Sequence, residues 1–308
     1  MRRMLVVLVT AAATVLALGG CGGGGNPLKG GGGGGGSSTT ITVGSANFPE
    51  NSLLAEIYAQ ALEAKGVKVT RKFNIGTREA YIPALKDGSI DLLPEYTGNL
   101  LSYLKEGKVP GNNLSADKVY TDTKAALPSN LELLDKASAE DKDAITVSQA
   151  TASKYNLKSI ADLKSHASTL TIGGPPEFEK RFAGLVGLKD LYGLKFKQFK
   201  KLDTAGPITV KALKDGNVDA ADLFTTDPAV AANNFLALQD PKQLFLAQNV
   251  TPLINKKKAD GKVTSALDAI SAKLTTDELK GLVKQVVTDK KDPATVAKTW
   301  LTQKGITK

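Results

Sequence analysis

Residues able to carry chemistry are scarce in this chain, and the scarcity is itself a constraint. It holds one histidine, His166, and one cysteine, Cys21. An intrachain disulfide and a Cys/His zinc cluster are therefore out of reach. A serine triad would have to use His166, which lies in the polar stretch DLKSHAST, a helix end and loop. A carboxylate pair such as Glu50 and Glu177 could in principle do acid–base work. The lack of histidine and cysteine counts against catalysis, and no enzyme activity, cofactor or metal is expected. What remains is aromatic, acidic and hydroxylic, and it gathers at Glu95-Tyr96-Thr97 and at Phe224-Thr225-Thr226-Asp227.

Both clusters end the same phrase. Residues 84–97 read ALKDGSIDLLPEYT and residues 212–225 read ALKDGNVDAADLFT. Upstream, ITVG (Ile41–Gly44) is echoed by LTIG (Leu170–Gly173), and Pro49-Glu50 by Pro176-Glu177, at nearly one offset. Three echoes in one order describe two copies of one unit, and two facing copies make a cleft. The phrase itself reads as scaffold: Ala-Leu packs a helix, Asp-Gly ends it, and Ile90 or Val218 enters a strand. The chemistry is expected just after it, where the copies diverge.

The elements that must position these residues follow the same plan twice. In the first copy Ile41–Val43 is a strand and Leu53, Leu54, Ile57, Tyr58, Ala61 and Leu62 recur at helical spacing to a stop at Gly66. Val67–Phe73 is a second strand, a helix runs to Leu85, and Ile90–Leu93 is a third strand. The second copy places strands at Leu170–Ile172, near Phe196–Phe199 and at Val218–Leu223, with a helix through Phe182 and Leu185, and a turn at Asp203–Pro207 leading into another that ends at Asp215-Gly216. This βαβαβ alternation predicts a parallel sheet in each copy. Ligands of open sheets lie beyond the carboxyl ends of the strands. Those ends are Ser45–Glu50 and Glu95–Asn99 in one copy, Gly174–Phe178 and Phe224–Asp227 in the other.

Residues outside the copies include a helix over Ala116–Leu127 after the cap candidate Ser115, and a strand at Ala144–Ser148. A capping box is expected at Thr275–Glu278, and Asp292-Pro293 is a start signal for a last helix with Trp300. This tail is expected to return to the first copy. Two crossings, near Ala144–Ser148 and Ala247–Thr251, would then form a hinge. The expected divisions are 41–145 plus 248–308 for the first lobe and 146–247 for the second.

The N-terminus reads as an address. Met1-Arg2-Arg3 is a basic start, and Leu5–Leu18 is apolar but too short to span a bilayer well. Leu18-Gly19-Gly20-Cys21 has the form of a bacterial lipobox, which predicts a signal peptide over 1–21 and lipidation of Cys21. Residues 22–40 are a glycine-rich tether with a coil span of roughly 25 Å. The expected location is outside the cell membrane, lipid-anchored. With 42% hydrophobic and 23% charged residues the remainder suits a globular body, expected as a monomer. The formal charge of +9 comes from scattered lysines with short clusters such as Lys256-Lys257-Lys258. No basic run carries interleaved aromatics, so no nucleic-acid partner is expected.

At Glu95-Tyr96-Thr97-Gly98 the chain resembles the substrate-binding proteins of ABC importers for glycine betaine, choline and carnitine (ProX/OpuC-like, with an OpuAC domain). The resemblance rests on GSANFPEN (Gly44–Asn51), NIGT (Asn74–Thr77), ALKDGSIDLLPEYTG (Ala84–Gly98), GGPPEFEKR (Gly173–Arg181), LYGLKF (Leu191–Phe196) and DPATVAKTWL (Asp292–Leu301). It implies a periplasmic-binding-protein fold of type II, an α/β architecture of two βαβ lobes closing on a ligand, and delivery of that ligand to a membrane permease.

A quaternary ammonium has no N–H, so aromatic faces must hold it, at about 0.5–2 kcal/mol each. The resemblance assigns that role to Tyr96, with Phe48, Phe178 and Phe224 as further strand-end aromatics and Tyr81 as a weaker candidate that reads first as core. Glu95 would offset the cation, and Glu177 stands at the matching loop of the second copy. Asn47, Thr77, Arg78, Thr97, Thr226 and Asp227 would hold a carboxylate or hydroxyl tail, with Arg78 the best anion partner. Two departures stand out. Members with a full tyrosine cage carry tyrosines where this chain has Leu185 and Val210, and YTGT reads YTGN, ending in Asn99. An incomplete cage leaves open another small organic ligand in the same cleft, or a ligand-sensing lipoprotein not coupled to transport.

Overall fold

The computed structural model describes residues 40–108 and 114–308; the predicted signal peptide, Cys21 and the glycine-rich tether up to residue 39 lie outside the described residues. The chain opens with β1 (Thr40–Gly44), α1 (Pro49–Ala64), β2 (Lys68–Lys72), α2 (Arg78–Asp87) and β3 (Leu92–Tyr96), then α3 (Thr97–Leu104), α4 (Ala116–Ala126) and a short β4 (Leu131–Leu133). A second series follows: β5 (Asp143–Ser148), α5 (Gln149–Tyr155), β6 (Thr171–Gly174), α6 (Gly187–Tyr192), β7 (Gln198–Lys201), α7 (Pro207–Lys214), β8 (Ala220–Phe224), α8 (Pro228–Ala232) and β9 (Phe235–Ala237). The chain then returns through β10 (Val250–Asn255) to α9 (Gly261–Ser271), α10 (Thr276–Val287) and α11 (Pro293–Gln303).

Two five-stranded sheets result, ordered β2-β1-β3-β10-β4 and β7-β6-β8-β5-β9. Within each, the strands of the repeated unit pair in parallel. The sheets as wholes are mixed, which corrects the expectation of purely parallel sheets. β10 runs antiparallel to β3 and β4, and β5 antiparallel to β8 and β9. Each of these strands enters its sheet from the other half of the molecule, without the helical crossover that parallel pairing requires. The two crossing segments lie side by side. Val250 N–H donates to the Ala139 carbonyl at 3.0 Å and Asp141 N–H to that of Gln248 at 3.2 Å, with an antiparallel bridge between Glu140 and Asn249.

The repeated phrase is structural in both copies. Leu85 and Leu213 are buried. Gly88 and Gly216 follow the two helices at φ +82° and +69°, a left-handed conformation that glycine adopts without cost. The aspartate three residues after that glycine splices the first strand of the unit to the third. Asp91 N–H donates to the Thr42 carbonyl at 2.8 Å, and Thr42 N–H returns a bond of 2.8 Å to Asp91 Oδ2. Asp219 and Thr171 make the same exchange at the same distances.

The tail does fold back on the first sheet. α9, α10 and α11 pack with α1 and β1 in one core that includes Leu53, Ile57, Leu267, Leu282 and Trp300. Thr275 caps α10 by accepting from Glu278 N–H at 3.3 Å, but the Glu278 carboxylate turns to Trp300 Nε1 and Lys304, both at 2.7 Å. Only half of the expected capping box therefore forms, because a buried indole N–H needs an acceptor. Among the described residues no helix is long and apolar enough to cross a membrane.

If the aspartate splice holds strand one to strand three, Asp91→Ala and Asp219→Ala should each cost about 1–3 kcal/mol, the price of an unpaired buried N–H. Thermal unfolding reads this as a fall of roughly 2–4 °C for each kcal/mol. Unchanged melting in both variants would refute the structural reading of the repeat.

Candidate ligand-binding site

The site is assembled from strand ends. The loop after β1 is fastened by Asn51, whose Oδ1 accepts from Ala46 N–H at 2.7 Å and whose Nδ2 donates to the Pro94 carbonyl at 3.0 Å. That clamp ties Asn47 and Phe48 to the end of β3, where Tyr96 stands. Helix α1 begins earlier than its apolar periodicity suggests, with Pro49 in its first turn. The Phe48 ring lies 6.0 Å from Tyr96 and 5.1 Å from Phe224, the last residue of β8. Three rings from three segments thus meet across the gap between the sheets.

A polar layer lies beneath them. The Glu50 carboxylate, in the first turn of α1, accepts from Tyr96 OH at 2.8 Å and from Thr226 Oγ1 at 2.6 Å. Asp141 Oδ1 accepts from Thr226 N–H at 3.1 Å. Burial pushes both carboxyls upward. The hydroxyl donors offset part of that for Glu50, whereas Asp141 is raised well above the ordinary aspartate range by burial and by Glu50. Nearby, the fully buried Glu95 accepts from Arg78 Nη2 at 2.8 Å, Tyr81 OH at 2.5 Å and Tyr96 N–H at 2.6 Å. Burial works against the Arg78 charge, and the Glu95 carboxylate outweighs it.

Above this layer is a cavity of about 280 Å³, metabolite-sized. Of the residues expected at the site, Asn47, Phe48, Thr77, Arg78, Tyr96, Glu177, Phe178 and Phe224 line it. The other four point elsewhere. Glu95 is consumed by Arg78 and Tyr81. Thr97 Oγ1 donates to the Ala247 carbonyl at 3.0 Å and accepts from Asn249 N–H at 3.1 Å, tying β3 to a crossing segment. Thr226 serves Glu50, and Asp227 caps α8 by accepting from Ala229 N–H at 2.7 Å. Glu50 lies under the floor, so the Glu50–Glu177 acid–base pair does not face the cavity together. His166 packs on Tyr155 at 4.5 Å and is not a wall residue. Leu185 and Val210 pack into the second half's apolar clusters and leave the cavity without side chains at those positions.

Sequence reasoning missed Asp143, Asp222, Arg181 and Tyr103, all on the wall. The signal for Asp222 was present, since strand side chains alternate and Asp222 stands two residues before Phe224. Asp143 lies opposite Phe224 in the register of β5 with β8. Its carboxyl is raised by burial, although Asn99 Nδ2 donates to it at 2.6 Å. Arg181 could not be placed because the helix expected through Phe182 and Leu185 is broken. Ala183 and Gly184 leave helical geometry, and a Cβ at Gly184 would lie 2.3 Å from the Phe178 carbonyl oxygen. The break lets Arg181 reach over the cavity to Glu79 of α2, with bonds of 2.7 and 3.2 Å. Burial opposes the Glu79 charge, but Arg181 and Thr77 prevail and hold it at about 2.

The wall therefore presents aromatic faces to a cation that cannot donate hydrogen bonds, an excess of carboxyls, and Arg78 for an anion. Among the described residues no cluster of His, Cys, Asp and Glu could hold a metal ion.

Comparison with known proteins agrees with this geometry. A family model for the substrate-binding domain of ABC-type glycine betaine transport systems matches residues 39–303. Glycine betaine-binding protein YehZ of Escherichia coli (strain K12) is 30% identical over 281 residues, covering 87% of this chain and 92% of that protein. Its apo structure, 28% identical by structural alignment, superposes over 87% of this chain and 100% of that one with a TM-score of 0.61. The ergothioneine transport permease/ergothioneine binding protein EgtU of Helicobacter pylori (strain G27) is 26% identical over 86% of this chain, which spans 48% of that protein. A crystal structure of a glycine betaine/carnitine/choline ABC transporter is 21% identical and matches 86% of this chain and 99% of that one at a TM-score of 0.66. The two-sheet body has the type II periplasmic-binding-protein fold.

Asp141 and Glu79 set opposite pH dependences. A carboxyl raised above its ordinary value, such as Asp141, favours the fold below that value, and the contribution is lost as pH rises through the raised one. Asp141→Asn, neutral at every pH, should gain about 1 kcal/mol or more at pH 7–8 and nothing near pH 3, measured by urea unfolding. Glu79 is held low, so its contribution is present above its ordinary 4.5 and fades as pH falls through about 2. Because Glu79 is about half exposed, Glu79→Gln should lose no more than about 1 kcal/mol at neutral pH, and nothing at pH 2.

Proposed function

The chain belongs to the substrate-binding domain family of ABC-type glycine betaine transport systems, and from that membership we propose that it captures a methylated ammonium osmolyte between its halves and hands it to a membrane permease. Substrate-binding proteins of ABC importers work outside the cytoplasm. In this reading residues 41–145 with 248–308 form one lobe, residues 146–247 the other, and the paired segments around Ala139–Asp141 and Gln248–Val250 act as the hinge. Cys21 carries a lipid anchor in the outer leaflet, and the glycine-rich stretch lets a monomeric body float beside the permease.

The observation that carries the ligand assignment is the meeting of Phe48, Tyr96 and Phe224 from both halves over an acidic layer. Such rings attract a cation through their faces and need no N–H from it. Arg78, anchored by Glu95, stands on the same wall and suits the carboxylate of a betaine or carnitine. The absence of Leu185 and Val210 from the wall supports a second reading, another small organic cation in the same cavity. The likeness to an ergothioneine-binding protein favours keeping that reading beside the first.

Glycine betaine, choline or carnitine should raise the melting temperature, since a ligand at 100 times its dissociation constant adds about 2.7 kcal/mol. Tyr96→Ala and Phe224→Ala should each cost about 0.5–2 kcal/mol of binding by calorimetry. A flat melting response to all three compounds at millimolar concentration would remove the osmolyte assignment and leave the second reading.

A further inference from the structure

Of the carboxyls on the cavity wall, only Asp222 has a buried oxygen, Oδ1, without a hydrogen-bond partner among the described residues. The residue is 3% exposed. It stands on β8 on the same side as Phe224, because strand side chains alternate with period two, and both line the cavity. A Cβ built on Gly174 would lie 3.4 Å from the Asp222 Cβ and 3.5 Å from the Phe178 ring, so Gly174 and Phe178 pack closely beside it. Its ionisable neighbours on the wall are mostly acids, Asp143 and Glu177, and the cation within reach, Arg181, is committed to Glu79. Burial, then Asp143, raise the Asp222 carboxyl, as expected of an acid with no counter-charge.

Native interiors rarely leave a buried acceptor unpaired, so the missing donor belongs to whatever fills the cavity. A methylated ammonium cannot supply it, having neither N–H nor O–H. We propose that Asp222 is a specificity residue that accepts a hydrogen bond from a hydroxyl or N–H group carried by the ligand beside its methylated ammonium. The ammonium rests on Phe48, Tyr96 and Phe224, and the donor reaches one side-chain spacing along β8. The site then selects quaternary amines with a donor over those without one. A site built to bond such a group discriminates against the analogue that lacks it, since the analogue leaves the acceptor stranded. This assignment rests on the osmolyte reading of the same cavity.

Two pairs of compounds differ only in one hydroxyl: choline with ethyltrimethylammonium, and carnitine with γ-butyrobetaine. Calorimetry on the full chain should show the hydroxylated member of at least one pair binding about tenfold tighter or more, the equivalent of one buried hydrogen bond otherwise left unmade. In Asp222→Leu the ratio should fall to within about twofold, with the deoxy compound bound as before. Asp222→Asn, which keeps the shape of the side chain, should reduce the preference as well and serves if the leucine variant fails to melt cooperatively. Equal binding within both pairs, or a preference that survives both substitutions, overturns the assignment while the osmolyte reading stands. Binding of glycine betaine but of none of the four overturns the assignment alone, and binding of none of these five compounds to the unmodified protein overturns both.

Discussion

Glu50 is a buried carboxylate with no cation beside it, and the structure is arranged to tolerate it. It sits in the first turn of α1, where the helix dipole favours negative charge. It accepts hydroxyl donors from Tyr96 on one side and Thr226 on the other, while burial and Glu50 together raise the neighbouring Asp141 carboxyl and so disfavour a second charge there. Because the donors come from opposite sheets, the carboxylate is satisfied only when the sheets are together. The aromatic rings above it take their positions from the same contacts: Tyr96 is oriented by its bond to Glu50, and Phe224 leads directly into Thr226. The recognition surface is thus a consequence of satisfying one buried acid.

A second compensation runs along the rim. Arg78 and Arg181 each have an acidic partner, Glu95 and Glu79, and Lys180 is a third cation on the wall. Glu177 lies 3.9 Å from Arg181, whereas Asp143 and Asp222 have no cationic partner among the described residues. The balance of the cavity is therefore acidic inside a protein whose formal net charge is +9. Local pairing decides the potential that a solute meets, and the global charge does not.

Much of the scaffold was legible because its signals are local. Strand alternation, Asp-Gly stops and the duplicated phrase placed the parallel units and put the aromatic rings at strand ends. Strand direction is not encoded in alternation, so β5 and β10 could be seen as strands but not as antiparallel ones. The role of Glu95 was misjudged because its two consumers, Arg78 and Tyr81, lie a helix away in the chain. Asp222 looked like an ordinary residue of a buried strand, and only its lack of partners in three dimensions sets it apart. Arg181 depended on a backbone break that glycine permits and that periodicity does not reveal.

The mixed sheets also invert the order in which the two halves can be completed. All five strands of the second sheet lie within residues 143–237, ahead of β10. The first sheet needs β10, because β4 pairs with β10 and is otherwise unattached. A chain emerging from its N-terminus therefore has every strand of the second sheet in hand before the first can close. The half that is made first must wait, with β3 presenting an open edge, until the far side of the molecule has been synthesised and the chain has come back.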